Sequence, residues 1–523
     1  MKPDKMQKKM GDGKMGLRDY TVYDFIRTNA SLHPDNDCLV FNDRRLTFRE
    51  YKDKCDRLAS GLTENRVAPG DRLAVVAHNC DEFVILYGAA AKIGAIVVPV
   101  NWRFTPDELA YVLKDTTPSW VFAGPDYRQT VMDLKLDAGV EKLCAIGGGD
   151  LPDGWISFDS LYAEENSDDT CVDINGNSGF VIIHTAAVQG RPRGAVLSQN
   201  NIFAINMQMI ANESFGISTC HICILPLFHV AGLARLMAVM HAGGKNVILE
   251  RFDAEKTLRL IESEKGTTFF NFAPILKRLV DKYHELGGGI DLSGVSSVGG
   301  LDHPENLEAF SKIAPNVGFA SGFGQTEAMG VTWAPRNERP GSAGKPTLIS
   351  RVALFDDKDN PVPAGEEGEI CVRGPSVFLG YWGRDEDTAR TFRGGWHHTG
   401  DMGRFDEYGY LWYVRRKAEK ELIKPGGENV YPAEVEIVIL QHPAVDEVSV
   451  IGVPDRQWGE AIKAVCVLKP GESLDENELV DFVASRIARY KKPRFVVFVD
   501  SLPKTKSGEI DRQQVKKDHG GKF

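Results

Sequence analysis

The loop that follows residue 185 has the composition of a phosphate-binding loop. A strand-like run, Ile182-Ile183-His184, leads into it, and Gly190, Arg193 and Gly194 lie at its far end. Backbone N–H groups of a loop that follows a strand, together with a cationic side chain, suit the oxygens of a polyphosphate. Alone this pattern is weak, because Gly-x-Pro-x-Gly loops are more often plain turns.

Five further motifs strengthen that interpretation. They read Leu-Pro-Leu-Phe-His at 225–229, Gly-Phe-Gly-Gln-Thr-Glu at 322–327, Trp-His-His-Thr-Gly-Asp at 396–401, Gly-Gly-Glu-Asn-Val-Tyr-Pro at 426–432 and Pro-Lys-Thr-Lys-Ser-Gly at 503–508. Together they resemble the adenylate-forming superfamily, specifically the acyl-CoA synthetases, which are AMP-forming acid–CoA ligases. The resemblance extends over nearly the whole chain, from Leu46 to Arg512.

The resemblance implies a reaction in two steps. A carboxylate and ATP give an acyl-adenylate and pyrophosphate, and the thiolate of CoA then displaces AMP. The small molecules implied are therefore a carboxylic acid, ATP, Mg²⁺ and CoA, with no nucleic acid and no integral membrane segment. A homodimer is left open.

The resemblance also implies roles for single residues. Asp401 would accept both ribose hydroxyls, a fork that only a carboxylate offers. Glu327 would hold Mg²⁺, a hard cation that needs carboxylate oxygen, and Thr326 would donate to a phosphate. The expected catalytic residues are Thr326, Glu327, Arg193 and Lys506, and Glu327 is also the metal ligand. The residues expected to bind ATP or CoA are Thr185, Gly190, Gly299, Gly300, Phe323, Asp401, Arg416, Gly426 and Gly427. A further motif, at residues 458–460, is expected only to structure the small domain.

The acid is predicted to be neither acetate nor an amino acid. His229, with Gly322 and Gly324, matches the part of the family that meets the substrate. Amino-acid-activating relatives place an Asp near His229, and no acidic residue occurs between Leu225 and Arg235. Acetate-activating relatives carry Trp where this chain has Gly324, so the pocket should admit a longer or cyclic acid. The pocket is expected to be largely apolar, lined by Phe272, Ala273, Gly300, Ala320, Gly322, Gly324 and Ala328.

Two departures from the family pattern concern the first half-reaction. Residues 186–189 replace the small hydroxyl and glycine residues of the usual phosphate loop, although Arg193 is a competent phosphate partner in place of Lys. The family's catalytic Lys follows the Gly of the last motif, and this chain has Glu509 there. A cation that stabilises developing negative charge has become an anion.

Three hypotheses follow from these departures. The first is an active ligase for a fatty, cyclic or aromatic acid, with the cation supplied from another position such as Lys506. The alternative is a degenerate nucleotide- or CoA-binding homologue with impaired adenylation. A ligase that loads a carrier protein is the third, and the absence of a following carrier domain disfavours it.

Alternating strand and helix signals must position these motifs. A hairpin is indicated at residues 39–47, and Thr47 with Glu50 forms a capping box that opens a helix to about Asn65. A second box joins Thr105 and Glu108. Repeated β-α-β order, expected through about residue 415, predicts an α/β fold of parallel-rich sheets covered by helices, with ligands at the carboxyl ends of the strands.

The chain is predicted to divide into a large and a small domain. We expect a disordered leader at 1–18, a large adenylate-forming N-terminal domain at 19–415, a hinge at 416–421 and a small mobile α+β domain at 422–523. The hinge is marked by a charge-dense run without apolar periodicity. In the small domain, helices at 433–441 and 475–489 and strands at 445–453, 461–468 and 495–499 are expected.

Composition limits the remaining classes. The chain has 523 residues, 42% hydrophobic and 26% charged, with a net charge of −11. That balance argues against a broad nucleic-acid or anionic-membrane surface, so phosphates must be met locally. No segment approaches the ~20 apolar residues of a membrane helix, and a cytoplasmic location is expected. The nine Cys are scattered as reduced thiols would be, and the CxxC at 220–223 is read as part of a buried strand, not as a zinc knuckle.

Overall fold

The structure is a computed structural model that describes residues 16–17, 19–164, 174–185, 192–416, 422–426, 428–504 and 510–521. The helices within these ranges are α1 (Val22–Leu32), α2 (Phe48–Glu64), α3 (Asp81–Ile93), α4 (Pro106–Thr116), α5 (Arg128–Ala138), α6 (Gln199–Glu213), α7 (Val230–His241), α8 (Ala254–Ser263), α9 (Ile275–Glu285), α10 (Pro304–Ile313), α11 (Asp385–Thr391), α12 (Pro432–Ile439), α13 (Glu476–Ala484) and α14 (Arg512–His519).

The strands form four sheets. The first twelve are β1 (Asp37–Phe41), β2 (Arg44–Thr47), β3 (Arg72–Val76), β4 (Ile96–Pro99), β5 (Trp120–Ala123), β6 (Lys142–Ala145), β7 (Trp155–Ser157), β8 (Gly179–Thr185), β9 (Arg193–Ser198), β10 (Cys220–Cys223), β11 (Lys245–Ile248) and β12 (Thr268–Phe272). The others are β13 (Ser297–Leu301), β14 (Gly318–Gln325), β15 (Ala328–Pro335), β16 (Lys345–Pro346), β17 (Arg351–Phe355), β18 (Glu367–Arg373), β19 (Gly380–Tyr381), β20 (Phe392–Arg393), β21 (Trp396–Phe405), β22 (Leu411–Arg416), β23 (Val445–Asp455), β24 (Gly459–Leu468) and β25 (Phe495–Phe498).

Two large mixed sheets make up most of the chain. One has the strand order β16-β15-β14-β13-β12-β10-β11-β1-β2, and the other β19-β9-β8-β4-β3-β5-β6-β7. Most neighbouring pairs in both are parallel, including β12 with β13 and β3 with β4. The principal core lies between these sheets, where α1, α2, α3 and α7 contribute side chains. The predicted α/β class with parallel-rich sheets is confirmed.

The local signals of the N-terminal part are also confirmed. β1 and β2 pair as an antiparallel hairpin. The Thr47 hydroxyl accepts the Glu50 N–H while the Glu50 carboxylate accepts the Thr47 N–H, and Thr105 with Glu108 repeats the arrangement at α4. These reciprocal bonds satisfy N–H groups that the first turn of a helix otherwise leaves without partners.

The expected β-α-β alternation to residue 415 is wrong beyond Gly318. β14 and β15 pair antiparallel, and β17, β18, β21 and β22 are joined as antiparallel neighbours in a five-stranded sheet that also contains β20. Short turns connect several of these strands, and a parallel crossover would need a longer connection, usually a helix. In this stretch the described residues contain α11 alone as a helix after α10.

The last part of the chain forms a separate three-stranded sheet, β23-β24-β25, with its own apolar core. Its strands lie close to the expected positions. The helix expected at 475–489 is shorter, because α13 ends at Ala484 and a 3₁₀ turn at Arg489–Lys491 follows. The run at 417–421, which contains most of the expected hinge, lies outside the described residues, as do 1–15 of the expected leader.

The cysteines of the described residues are all free and buried. Cys220 and Cys223 lie on the fully buried strand β10, as the sequence predicted. Burial is the largest cause that raises the pKa of both thiols, to about 11 for Cys220 and about 12 for Cys223. Within the described part of the chain, no helix has the length and apolar character that crossing a membrane requires.

Candidate active site

A cavity of about 460 Å³ lies at the carboxyl ends of β8, β12 and β13. Residues of β14, β15, α6 and α7 complete its wall. Lys424, Asn429, Tyr431 and residues 458–460 close it from the side of the small sheet. The expected site residues that line it are Thr185, Arg193, His229, Gly299, Gly300, Gly322, Phe323, Gly324, Thr326, Glu327 and Arg416. The position is the one predicted for a ligand of a parallel sheet.

Glu327 is the centre of a hydrogen-bonded group on this wall. The Tyr381 hydroxyl donates to its Oε1 at 2.8 Å, and the Thr185 hydroxyl reaches the same oxygen at 3.4 Å. The Arg193 guanidinium lies over the Tyr381 ring, with Cζ 4.1 Å from the ring centroid. Four residues from distant parts of the sequence therefore place a carboxylate, two hydroxyls and a cation at one end of the cavity.

Asp401 lies one layer behind the cavity wall. It is opposite Arg416 on the neighbouring strand, and its Oδ1 is 3.3 Å from Arg416 Nε. The Tyr413 hydroxyl is 3.5 Å from the same oxygen. The Asp401 side chain is only 2% exposed, whereas Arg416 lines the cavity. Arg416 thus carries to the surface of the cavity a charge that Asp401 holds in place.

The neighbouring strands β13 and β14 both contribute residues to the cavity wall. Phe323 packs one side against an apolar cluster that includes Ala328 and Leu411, and it also lines the cavity. Gly300 has φ +112°, and a Cβ at this position would lie 1.9 Å from the Asn271 carbonyl oxygen. Only glycine fits that backbone conformation and that approach. Phe323 therefore gives this wall an aromatic ring, and Gly300 gives it a backbone surface without a side chain.

His229 lines the cavity and caps α7. Its Nδ1 accepts the Ala231 N–H at 3.2 Å, so the proton of the neutral imidazole is on Nε2. Burial lowers the pKa of His229; the charge of Glu428 opposes this shift, and the charges of Lys424 and Arg103 add smaller lowering contributions. The imidazole is therefore a neutral donor at neutral pH.

The acyl side of the cavity is more polar than the sequence suggested. Six of the seven residues expected there line the cavity, but Ala328 does not, since it packs into the core beside Val331 and Ile370. Glu213 and Asn212, at the end of α6, also line it. Gly324 lies against β15, where a Cβ would come within 2.9 Å of the Gly330 nitrogen. Gly324 therefore allows two backbone segments to approach closely.

The small sheet supplies the remaining wall. Lys424 lines the cavity, and its Nζ makes no hydrogen bond or ion pair to any other residue in the described ranges. Burial, followed by the charge of Arg416, lowers the pKa of Lys424. Residues 458–460, expected only to structure the small domain, also line the cavity, which corrects that expectation. Gly426 does not line it, and its N–H donates to the Trp458 carbonyl at 2.9 Å.

Two ionic contacts join the large and small parts of the chain beside the cavity. Arg103 pairs with Glu428. Lys491 Nζ lies 2.6 Å from Glu108 Oε1 and 2.6 Å from Glu434 Oε2, so it bridges a helix of the large part and a helix of the small part. Three of the expected site residues, Gly190, Gly427 and Lys506, lie outside the described residues, as does Glu509.

Several residues of the site could not be found by motif. Tyr381 and Lys424 stand in segments without a recognised pattern, and the structure alone brings them to Glu327 and Arg416. Lys424 had one signal, its position two residues before the Gly-Gly-Glu motif. Glu213 and Arg235 are 22 positions apart in sequence and meet because α6 packs against α7.

Comparison with known proteins agrees with this geometry. The family model described as AMP-binding enzyme matches residues 26–382, and the model described as AMP-binding enzyme C-terminal domain matches residues 434–509. A feruloyl-CoA synthase of Amycolatopsis sp is 34% identical over 498 residues, covering 94% of this chain and 97% of the relative. An indoleacetate–CoA ligase of Aromatoleum aromaticum is 32% identical over 507 residues, covering 94% and 97%.

A solved structure from Rhodopseudomonas palustris, provisionally described as a long-chain-fatty-acid CoA ligase, is 43% identical. It covers 77% of this chain and 100% of its own, with a TM-score of 0.72. The chain belongs to the AMP-binding enzyme family. Within that family it is an AMP-forming acid–CoA ligase, an enzyme class whose substrates include ATP and CoA.

Proposed function

We propose that this ligase activates a largely apolar carboxylic acid, fatty, cyclic or aromatic, and that the cavity described above is its active site. The observation that carries the proposal is the convergence of Thr185, Arg193, Glu327 and Tyr381 on one end of a single cavity. An acid–CoA ligase must meet a triphosphate, and a chain of net charge −11 has to do so locally. The named substrates of the relatives, feruloyl, indoleacetate and long-chain fatty acid, all have extended apolar parts.

At the phosphate end we assign the charged groups to ATP. Arg193 would contact the phosphates, and Thr185 and Thr326 would donate their hydroxyls to phosphate oxygens. Glu327, with oxygen donors around it and no nitrogen or sulfur ligand among them, has the donor set that Mg²⁺ prefers. Bound there, Mg²⁺ would neutralise charge on the phosphates.

At the nucleoside end, Phe323 would stack on adenine, with Gly299 and Gly300 forming the facing wall. Asp401 and Arg416 act as a unit in this proposal, because their ion pair places one beside the other. The ribose would contact Arg416 in the cavity wall. Its hydroxyls would donate to the carboxylate of Asp401, which lies beside Arg416 in the next layer.

The acyl carboxylate would lie beside His229. The Nε2–H of the neutral imidazole is available to donate to it, since Nδ1 already accepts from Ala231. Such a donor orients the carboxylate toward the α-phosphate without holding it as tightly as a full ion pair would. Gly322 and Gly324 would bound the start of the acyl chain.

The cation of the first half-reaction is the open part of the mechanism. In the arrangement described here, Lys424 faces the cavity, whereas residues flanking 505–509 pack on the small sheet, with Lys504 paired to Glu447 and Ile510 in an apolar cluster around Val515. We propose Lys424 as a second candidate cation beside Lys506. We also propose that the small domain, 422–523, turns about the hinge at 416–421 between the half-reactions, as a two-step enzyme requires.

The decisive experiment is a screen of carboxylic acids with the full chain, ATP, Mg²⁺ and CoA. AMP formation that depends on both the acid and CoA supports the proposal, and Glu327→Gln should abolish most of it. Binding of ATP without AMP formation for any acid would instead identify a nucleotide-binding homologue that has lost adenylation.

A further inference from the structure

A buried ion pair forms the floor of the acyl side of the cavity. Arg235 of α7 donates to both oxygens of Glu213 at the end of α6, at 2.9 Å from Nη1 to Oε1 and 2.6 Å from Nη2 to Oε2. The Arg235 side chain is 0% exposed and the Glu213 side chain 7%. Ser297 adds a third hydrogen bond to Glu213, and Arg235 also donates to the Thr268 hydroxyl.

This pair belongs to the cavity wall. Glu213 and Asn212 line the cavity together with Phe270 and Gly299. A Cβ on Gly299 would lie 3.1 Å from Arg235 Nη1, so the glycine is what leaves the guanidinium close to the cavity. The wall here therefore presents the Glu213 carboxylate and the Asn212 amide, with the Arg235 guanidinium buried behind them. Two aromatic rings lead from His229 to this pair: the Phe272 ring is 6.2 Å from that of His229, the Phe270 ring is 5.4 Å from that of Phe272, and Arg235 Cζ is 5.7 Å from the Phe270 centroid.

Stability alone does not account for the pair. Exchanging a buried ion pair for apolar side chains of similar size is often neutral or stabilising. A carboxylate at the C-terminal end of a helix also meets the unfavourable end of the helix dipole. The charge of Arg235 adds to burial in lowering the pKa of His221 to about 3. These unfavourable contributions to stability occur at a position that lines the cavity.

The hydrogen-bonding capacity of the floor is not exhausted by the protein. A carboxylate offers about four acceptor positions, and Glu213 uses three, for two Arg235 nitrogens and Ser297. The Asn212 side-chain amide makes no hydrogen bond to another residue of the described ranges, and Arg235 Nε is buried there without a partner. An apolar group placed against this floor would displace water and leave these positions without partners.

We propose that the acid substrate carries a hydroxyl group at the end distal to its carboxylate, and that Glu213 and Asn212 recognise it. The hydroxyl donates to Glu213 and accepts from Asn212. A distal carboxylate on the substrate would be repelled by Glu213. Arg235 cannot compensate, because its guanidinium already donates to both oxygens of Glu213. A distal ammonium is excluded by the neighbouring Arg235. This inference rests on the proposed ligase activity and narrows its substrate class.

The test compares acids that differ only at the distal end, using AMP formation with the full chain. The probes are straight-chain acids ending in methyl, hydroxyl or carboxylate, and aryl-propenoic acids with and without a para-hydroxyl. We expect kcat/KM for the hydroxylated member to exceed that of its methyl- or hydrogen-terminated partner at least about tenfold, since a site built to hydrogen-bond a hydroxyl rejects the analogue without it. Equal rates, or a preference for the methyl- or carboxylate-terminated acid, would overturn the inference and leave the ligase activity standing.

A double variant tests the same residues. Glu213→Leu with Arg235→Met removes both charges together and should reduce the preference to within about threefold, with KM for ATP unchanged. The matched control is Lys245→Met with Glu264→Leu, another ion pair at 2.7 Å that does not line the cavity, which should retain the preference. If the floor variant does not fold, the acid comparison with the unaltered chain still decides. If no acid of either kind gives AMP, the proposed function fails and this inference fails with it.

Discussion

Lys424 differs from an ordinary surface lysine in the pKa of its ammonium group. Burial and the neighbouring Arg416 lower its pKa, while Asp401 and Glu460 oppose the shift. A lysine with a lowered pKa loses its proton at a lower pH than a solvated lysine does. If its ammonium balances charge in adenylation, the rate must fall as the pH rises through that lowered pKa.

We therefore expect acid-dependent pyrophosphate release to decline at alkaline pH in the unaltered chain. Lys424→Arg should hold its rate over the same range, because a guanidinium stays charged. Lys424→Ala should be slower at every pH, by about tenfold or more if one charge-assisted contact is lost. Profiles of the same shape for all three proteins would remove Lys424 from the first half-reaction.

Glu509 and Lys506 provide a separate prediction for the same step. If Lys506 substitutes for the family cation, Lys506→Ala should reduce pyrophosphate release steeply. If the cation is lost outright, Glu509→Lys should raise the rate and Lys506→Ala should leave it level, while thioester formation from a supplied acyl-adenylate stays brisk. If neither variant changes the rate of pyrophosphate release but Lys424→Ala lowers it, we assign the cation of the first half-reaction to Lys424.

Asp401 is predicted to support ATP binding. Asp401→Ala would also leave the half-buried Arg416 without its carboxylate, so Asp401→Asn is the cleaner substitution. Losing the charged acceptor should weaken ATP binding by about 2–4 kcal/mol. Calorimetric titration with ATP measures it, with the thermal unfolding temperature as the control for folding. Unaltered ATP affinity in a folded Asp401→Asn protein would separate Asp401 from the nucleotide.

Motif analysis identified site residues that lie within a recognisable local pattern. It did not identify site residues outside such a pattern. Thr326, Glu327 and Arg193 stand in runs with a recognisable pattern, and they do line one cavity. Tyr381 has no such run, and it reaches Glu327 because β19 pairs with β9. The Glu213–Arg235 pair depends on the contact of two helices, which apolar periodicity does not specify to single residues.

At the scale of elements, the antiparallel pairing of β14 and β15 brings their backbones close together at Gly324, in the cavity wall. A Cβ at Gly324 would lie 2.9 Å from the Gly330 backbone nitrogen and 3.3 Å from the Ala328 carbonyl oxygen. Backbone atoms cannot move aside as a side-chain tip does. We expect Gly324→Ala to destabilise the fold by about 1–3 kcal/mol, the usual cost of overpacking.

Chemical denaturation of Gly324→Ala measures this cost. Gly148→Ala is the matched control, because nothing lies within 4 Å of a Cβ at Gly148. It should have a midpoint close to that of the unaltered chain. A Gly324→Ala protein as stable as the Gly148→Ala protein would contradict the close approach of the two strands.

The sequence predicts helices that begin with a reciprocal capping box and strands joined by a short turn. It does not predict the direction of strands whose neighbours in the sheet are distant in sequence. Thr47 with Glu50 and Thr105 with Glu108 mark helix starts through bonds three residues apart, so the sequence suffices. The five-stranded sheet that contains β17, β18, β21 and β22 joins these strands antiparallel. Its direction depends on which strand lies alongside, and that is decided by distant chain segments.

At the scale of the whole molecule, the two parts of the chain are held in one arrangement by Arg103 with Glu428 and by Lys491 with Glu108. A two-step reaction requires a second arrangement, reached through the hinge. We expect Ala418→Pro to restrict it and to slow one half-reaction at least about tenfold more than the other, because proline fixes φ. Ala418→Gly, which adds freedom, is the control.

The two half-reactions are measured separately, by acid-dependent pyrophosphate release and by thioester formation from supplied acyl-adenylate. Equal slowing of both in Ala418→Pro would count against rotation at this position. Weakening the contact instead, with Glu108→Gln, should ease departure from the present arrangement and shift the balance between the steps.

The buried cysteines have a consequence for an enzyme that handles a free thiol. Thiolates, not thiols, attack disulfides, and burial is the largest cause that raises the pKa of Cys38, Cys55, Cys80, Cys144 and Cys466. CoA that has oxidised to its disulfide therefore meets no exposed cysteine among those described. Mixed disulfides with its own substrate, which would inactivate a protein with a thiol at the entrance, have nowhere on the described surface to form.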